Sequence, residues 1–169
     1  MNSSIRSAAV ALIAAGAAML LVACGTPESE EEDMLTLVEA KRATQAQELE
    51  IFARISGELV GEIEQAPEGT VMPCPTSGEA QWAGRSLASV ADPSRYEVIL
   101  QSLAAEFEAT SGFDVDRSPA ASGEPRVHLV GNAGEGYILG PRRAQGQLEI
   151  LSFSPCFALE DGERTGQSY

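Results

Sequence analysis

The apolar side chains of this chain change their spacing at Gly112. Before it they recur at threes and fours; after it they alternate. A chain that switches period in this way must build helices and strands that share one core. Residues 92–112 carry the clearest helical grammar. Asp92 takes the N-cap, Pro93 the first turn, and Tyr96, Ile99, Leu100, Leu103 and Phe107 form one stripe. Ser111-Gly112 closes the helix with a residue suited to a left-handed cap. Phe113–Asp116, Arg126–Val130, Gly136–Gly140 and Leu148–Phe153 then read as strands. The turns GNAGEG and PRRAQGQ join the last three, which implies an antiparallel meander.

The earlier half is read the same way. Leu35, Val38, Leu49, Phe52, Ile55, Leu59 and Ile63 recur at threes and fours, with Ala43 and Ala46 between them. This spacing predicts one long helix from Met34 to about Gln65, with Glu39, Lys41, Arg42, Gln45, Gln47, Glu48 and Glu50 on its wet face. Gly57 and Gly61 weaken its later turns by about 1 kcal/mol each relative to Ala, and Pro67 and Gly69 end it. VMPCPTSG, residues 71–78, reads as a loop that holds Cys74 rigidly between two prolines. Gln81–Val90 reads as a strand anchored in the core by Trp82. The expected fold is α+β: an antiparallel sheet of three to five strands covered on one face by two helices.

Residues 1–33 stand outside that core. Arg6 is the only charge before Glu28, and Ser7–Ala23 is apolar and Ala-rich. At roughly 16 residues the run suits an export signal and is short for a membrane span of about 20. It stops at Leu21-Val22-Ala23-Cys24, which resembles the lipobox of bacterial lipoproteins. The resemblance implies a diacylglyceryl group on the Cys24 thiol, cleavage before Cys24, and a place on the extracytoplasmic face of the cell membrane. Two or more acyl chains anchor stably where one does not, at about 0.8 kcal/mol per buried methylene. Residues 25–33, with four Glu and an Asp, offer nothing to bury and read as a solvated tether that holds the folded part off the membrane. The organisation expected is therefore 1–23 signal peptide, 24–33 lipidated cysteine and tether, and 34–169 a single domain.

Charge and cysteines narrow the partners. The 169-residue chain carries a net charge of −14, and losing Arg6 with the signal takes the mature form to about −15. So acidic a chain is ill-suited to nucleic acid, whose binding rests on neutralised phosphates. With Cys24 lipidated, Cys74 and Cys156 remain, and an oxidising compartment favours a disulfide between them. The rival arrangements are two buried thiols or a metal site, for which two cysteines and the single His128 make a poor zinc set.

The whole layout is acylated cysteine, acidic tether, long helix, Cys74, helix to Gly112, meander and Cys156-Phe157-Ala158-Leu159. It resembles the small actinobacterial lipoproteins of the mycobacterial LppA type, most sharply in SPCF at Ser154–Phe157. The resemblance implies an architecture and a location and supplies no mechanism.

Motifs for chemistry are sparse. Nucleophilic catalysis needs a base beside the nucleophile, and His128, the one histidine, lies mid-strand pointing away from Val127 and Leu129. No Gly-x-Ser-x-Gly elbow occurs, and GNAGEG lacks the helix and lysine of a phosphate loop. Asp114 and Asp116 share a strand face and could pair as in glycosidases, though a wet sheet face is the simpler account. Arg142-Arg143 could contact an anionic envelope polymer or headgroup, or only solubilise a turn. Two expectations follow. One is a non-enzymatic module, without cofactor, that binds an envelope protein or small apolar ligand. The other is an envelope hydrolase working through Asp114 and Asp116.

Overall fold

A computed structural model of the protein describes residues 34–110, 112–142 and 145–169. Cys24, the signal, the tether, Ser111 and Arg143 lie outside the described residues. Among those described, two helices and eight strands occur: α1 (Leu37–Ala53), β1 (Val60–Gln65), β2 (Thr70–Pro73), β3 (Glu79–Val90), α2 (Tyr96–Ala109), β4 (Phe113–Asp116), β5 (Val127–Gly131), β6 (Gly136–Arg142), β7 (Gln147–Phe153) and β8 (Phe157–Ala158). The class is α+β, and every strand pairing is antiparallel. No helix among the described residues is long and apolar enough to cross a membrane.

The sheet runs in the order β1-β3-β7-β6-β5-β4. The twelve-residue β3 is its spine. One edge of β3 takes β1 and β2 in succession; the other takes β7 and β8. Ala80, Trp82, Ser86, Ala88 and Val90 of β3 face the helices, as do Leu148, Ile150 and Ser152 of β7, Tyr137 and Leu139 of β6, and Val127 and Leu129 of β5. The opposite face carries Arg85, Leu87, Ile138, Leu151 and Phe153, all at least partly exposed.

Three expectations are corrected here. The helix predicted over 34–65 ends at Ala53, and 60–65 forms β1. A register shift lies between Val60 and Ile63, which pair with Val90 and Ala88, both on the covered face of β3. A bulge adds a residue to a strand, so apolar positions on one face fall three apart and imitate helical spacing, although Ile63 itself is exposed. Residues 71–73 of the expected loop belong to β2, with Val71 fully buried opposite Trp82. Pro73 is accommodated at the end of this short edge strand, where a missing donor is tolerated. The expected turn at 141–147 is shorter than predicted, because β6 continues through Pro141 and Arg142. These extra elements bring the strand count above the three to five expected.

Helix α1 begins on a capping box. The Thr36 hydroxyl accepts from the Glu39 amide at 3.3 Å, and the Glu39 carboxylate accepts from the Thr36 amide at 3.0 Å. The Thr36 backbone, then its hydroxyl, holds the Glu39 carboxyl below its ordinary pKa. Before α2, Asp92 accepts from the Ser94 amide at 2.9 Å and opens a single tight turn at Pro93–Arg95. Asp92 and Pro93 thus sit where the sequence places them. Gly112 follows with φ +117°, a conformation only glycine adopts at little cost.

The core has two parts. The larger joins Ile51 and Phe52 of α1 and the inner face of α2 to the central strands. The smaller gathers Leu37, Ala40, Val71, Ala80, Trp82 and Phe157. Its Trp82 ring lies so close over Gly69 and Gly84 that a Cβ at either would strike the indole. The indole N–H donates to the Tyr169 carbonyl at 3.3 Å. Beside this core Cys74 and Cys156, 82 residues apart, form a disulfide with a Cα–Cα distance of 6.3 Å. It ties the end of β2 to the approach to β8.

Candidate functional site

One concavity lies between α2 and the segment 117–126 that links β4 to β5. Leu100 and Val127, both buried, form its floor; Pro119, Gly123 and Pro125 form one wall; Glu97 and Gln101 of α2 form the other. The cleft encloses about 420 Å³, within the usual range for small-molecule sites. Local chemistry shapes it. Helical spacing puts Glu97, Leu100 and Gln101 on one side of α2, where the Gln101 amide donates to Glu97 at 3.3 Å. The far wall bends through a turn in which the Gly123 amide donates to the Ala120 carbonyl at 2.8 Å, with Gly123 at φ +82°.

Arg117 and Arg126 are both among its lining residues. Arg117 is held by Glu108 through two parallel bonds, one of 2.8 Å, a geometry that adds direction as well as attraction. Arg126 is exposed, and its side chain runs beside Gly140 on the open face of the sheet, near Ile138, Glu149 and Leu151. The lining has one carboxylate and two cations but no hydroxyl, thiol or imidazole side chain. Such an arrangement can hold an apolar body with an anionic or hydrogen-bonding head.

A second surface belongs to α1. Val38, Arg42, Ala46, Leu49 and Ala53 fall within about 80° of one another on the helix and are all exposed. Leu37, Ala40, Thr44, Glu48 and Ile51 occupy the opposite side and are buried. Leu35, Val38 and Leu49, expected in the core, therefore face outward, and Glu48, expected to be wet, is fully buried.

The burial of Glu48 has partners. Ser152 donates its hydroxyl to one carboxylate oxygen, and the Gln65 amide donates to the other at 2.7 Å. The same Gln65 nitrogen donates to the Gln45 carbonyl at 2.7 Å. Burial pushes the Glu48 carboxyl up in pKa, against the opposing effect of the bonds from Ser152 and Gln65. Tyr137 lies alongside. Its phenol is also pushed up, by burial first and then by the charges of Glu135 and Glu48.

The remaining sequence candidates are dispersed. Asp114 and Asp116 are exposed on β4, at the edge of the sheet, and neither lines the α2 cleft. Asp116 pairs in register with His128 and accepts from the Ser118 hydroxyl. His128 is half-buried on β5, on the side opposite Val127 and Leu129. Arg142 lies 3.8 Å from Glu149 across the β6–β7 pair. The turn 131–136 is a hairpin, with Gly134 at φ +88°. Sequence reasoning missed the cleft because its residues come from two elements distant along the chain. The one signal was the proline pair, Pro119 and Pro125, bracketing the glycine at 123. Comparison with family models, curated proteins and solved structures returns no match.

Proposed function

We propose that the protein is a lipid-anchored, extracytoplasmic binding module of the small actinobacterial lipoprotein kind. Cys24 carries the anchor, and the α2 cleft takes a small amphiphile whose apolar part rests on Leu100 and Val127 and whose anionic end meets Arg117. The observation that carries the reading is that cleft: a concave space with Leu100 and Val127 at its base and Arg117 at its rim, on an otherwise acidic protein. The lipobox and the bond between Cys74 and Cys156 support the location, since disulfides persist outside the reducing cytosol. The cleft lining lacks a nucleophile–base pair, so the reading is one of binding.

Anilinonaphthalene sulfonate, an apolar probe with one negative charge, tests the site. It is expected to bind the folded protein, to bind more weakly to Arg117→Glu, and to be excluded from Gln101→Trp, which fills the cleft. Equal binding to all three would remove the cleft from consideration. Intact-mass measurement of chain purified from membranes, beside Cys24→Ala, tests the anchor.

A further inference from the structure

We propose that, contrary to the expectation that the tether holds the folded part off the membrane, the outward face of α1 lies against the bilayer in which Cys24 is anchored. The inference rests on the reading of Cys24 as acylated and adds to it a defined protein surface. Among the described residues eight large apolar side chains are exposed, and four of them, Met34, Leu35, Val38 and Leu49, belong to α1 or the residues just before it. Val38 is 61% exposed and Leu49 44%. A helix with one face in the core and a second apolar stripe outside leaves that stripe in want of a partner.

The position of the stripe names the partner. It begins where the tether ends. Residues 25–33 reach at most about 35 Å from Cys24 to Met34, even fully extended. An anchor on Cys24 therefore keeps this helix, of all the elements, nearest in chain length to the lipid. Four partly exposed side chains would bind a bilayer weakly from free solution. Tethering makes the contact intramolecular, at effective concentrations on the order of millimolar, so that weak affinity suffices.

Charge fits an interfacial position without demanding anionic lipid. Arg42 stands within the stripe, where its stem can lie along hydrocarbon while its guanidinium meets headgroup phosphate. Lys41 is engaged elsewhere, donating to the Pro67 carbonyl at 2.6 Å and lying over Trp82. Glu39 is folded back onto Thr36, and Glu50 stands to one side of the stripe. A second copy of the chain is a poorer occupant. A stripe about 22 Å long and about 10 Å wide offers each partner a few hundred Å², well below the roughly 1,200 Å² in total that stable pairs bury.

The test uses the full acylated chain in phosphatidylcholine vesicles. Val38→Cys, Leu49→Cys and, on the open sheet face, Val130→Cys are labelled with a nitrobenzoxadiazole fluorophore on the oxidised protein. Vesicles with and without nitroxide-bearing lipid are compared, and intact mass is recorded on the same samples. Emission at 38 and 49 is expected to be blue-shifted and quenched by the nitroxide lipid, while emission at 130 is not. Leu49→Asp is expected to reduce the quenching at 38 severalfold, with circular dichroism unchanged. With Cys24 acylated, equal quenching at all three positions, or at none, overturns the docking and leaves the anchor standing. A blue shift at 38 that grows with protein density and ignores the nitroxide assigns the stripe to a second copy and overturns it too. An unmodified Cys24 ends the anchor reading and the docking with it.

Discussion

The two helices lie on the same face of the same sheet, yet they solve opposite problems. Helix α2 turns Tyr96, Ile99, Leu100, Leu103, Ala104 and Phe107 inward and keeps most of its polar residues outside. Helix α1 turns Thr44 and Glu48 inward and keeps Val38 and Leu49 outside. The difference is set by what the sheet presents. Under α2 the strands offer hydrocarbon, including Val127, Leu129 and Leu139. Under α1 they offer Ser86 and Ser152, with Tyr137 in register beside Ser152. A buried carboxylate is tolerable only when its oxygens find donors, and Ser152 and Gln65 supply them. The inward face of a helix is thus chosen jointly with its partner surface, and a stripe of apolar residues alone does not identify it.

The largest effect expected is from the disulfide. The loop between Cys74 and Cys156 spans 82 residues, for which the chain-entropy model gives about 4–5 kcal/mol. Cys156→Ser should cost much of that. The bond lies beside the smaller core, which holds Leu37 and Ala40 of α1 but no residue of α2. Native-state hydrogen exchange should therefore speed up more in α1 than in α2. Equal acceleration would mean that the two helices share one cooperative unit.

Next is the core under α2. Phe107 is fully buried and meets Phe113 edge to face, with ring centroids 5.2 Å apart. Phe107→Ala should cost about 3–5 kcal/mol in denaturant unfolding. Arg54, the C-cap of α1, lies 4.6 Å over the same ring and pairs with Glu106. Part of the loss should therefore appear at the α1 end.

The same contrast explains what could be read from the chain. Helix α2 was legible because Asp92, Pro93 and a single apolar stripe agree with each other and with the hydrocarbon beneath them. The later strands were legible because their alternation is regular and their turns are glycine-rich. In α1 local and tertiary signals conflict. Leu35, Val38 and Leu49 run on in threes and fours with Phe52 and Ile55, so one apparent stripe mixes an outer and an inner face. Glu48 could be placed inside only by knowing that Ser152, 104 residues later, would meet it. The bulged β1 added a third imitation of a helix. The cleft was invisible for a related reason, since proximity of α2 to residues 117–126 is a tertiary fact. The cysteine pair could be proposed from compartment and count, and the disulfide is formed.

A smaller effect separates the charge of Glu48 from its bonds. Because burial raises its pKa in the folded state, the folded protein holds this proton to a higher pH than the unfolded chain does. Stability therefore falls as pH rises from the ordinary glutamate value of about 4.3 through the raised folded value, and the loss is complete above it. Glu48→Gln should remove this component, so the difference between variant and wild type should grow in favour of the variant across that window. Glu48→Ala should be worse than either at every pH, by about 1–3 kcal/mol, because Ser152 and Gln65 lose their acceptor. A difference between Gln and wild type that ignores pH would mean that Glu48 titrates as it does in the unfolded chain.

The smallest effect is the one that most sharpens the contrast between the helices. Val38→Ser and Leu49→Ser alter exposed positions that support no core, so each should change unfolding free energy by no more than about 0.5 kcal/mol. Leu103→Ser, on the buried side of α2, should cost several times that, since it removes buried hydrocarbon and leaves a hydroxyl among apolar neighbours. The comparison pits apolar character against position. If the apolar stripe on α1 held the domain together, serine at 38 and 49 would destabilise as serine at 103 does. If that stripe serves an outside surface, stability should stay level while affinity for that surface falls. Chemical denaturation of the three variants decides between a helix that stabilises through both faces and one that stabilises through the face carrying Glu48.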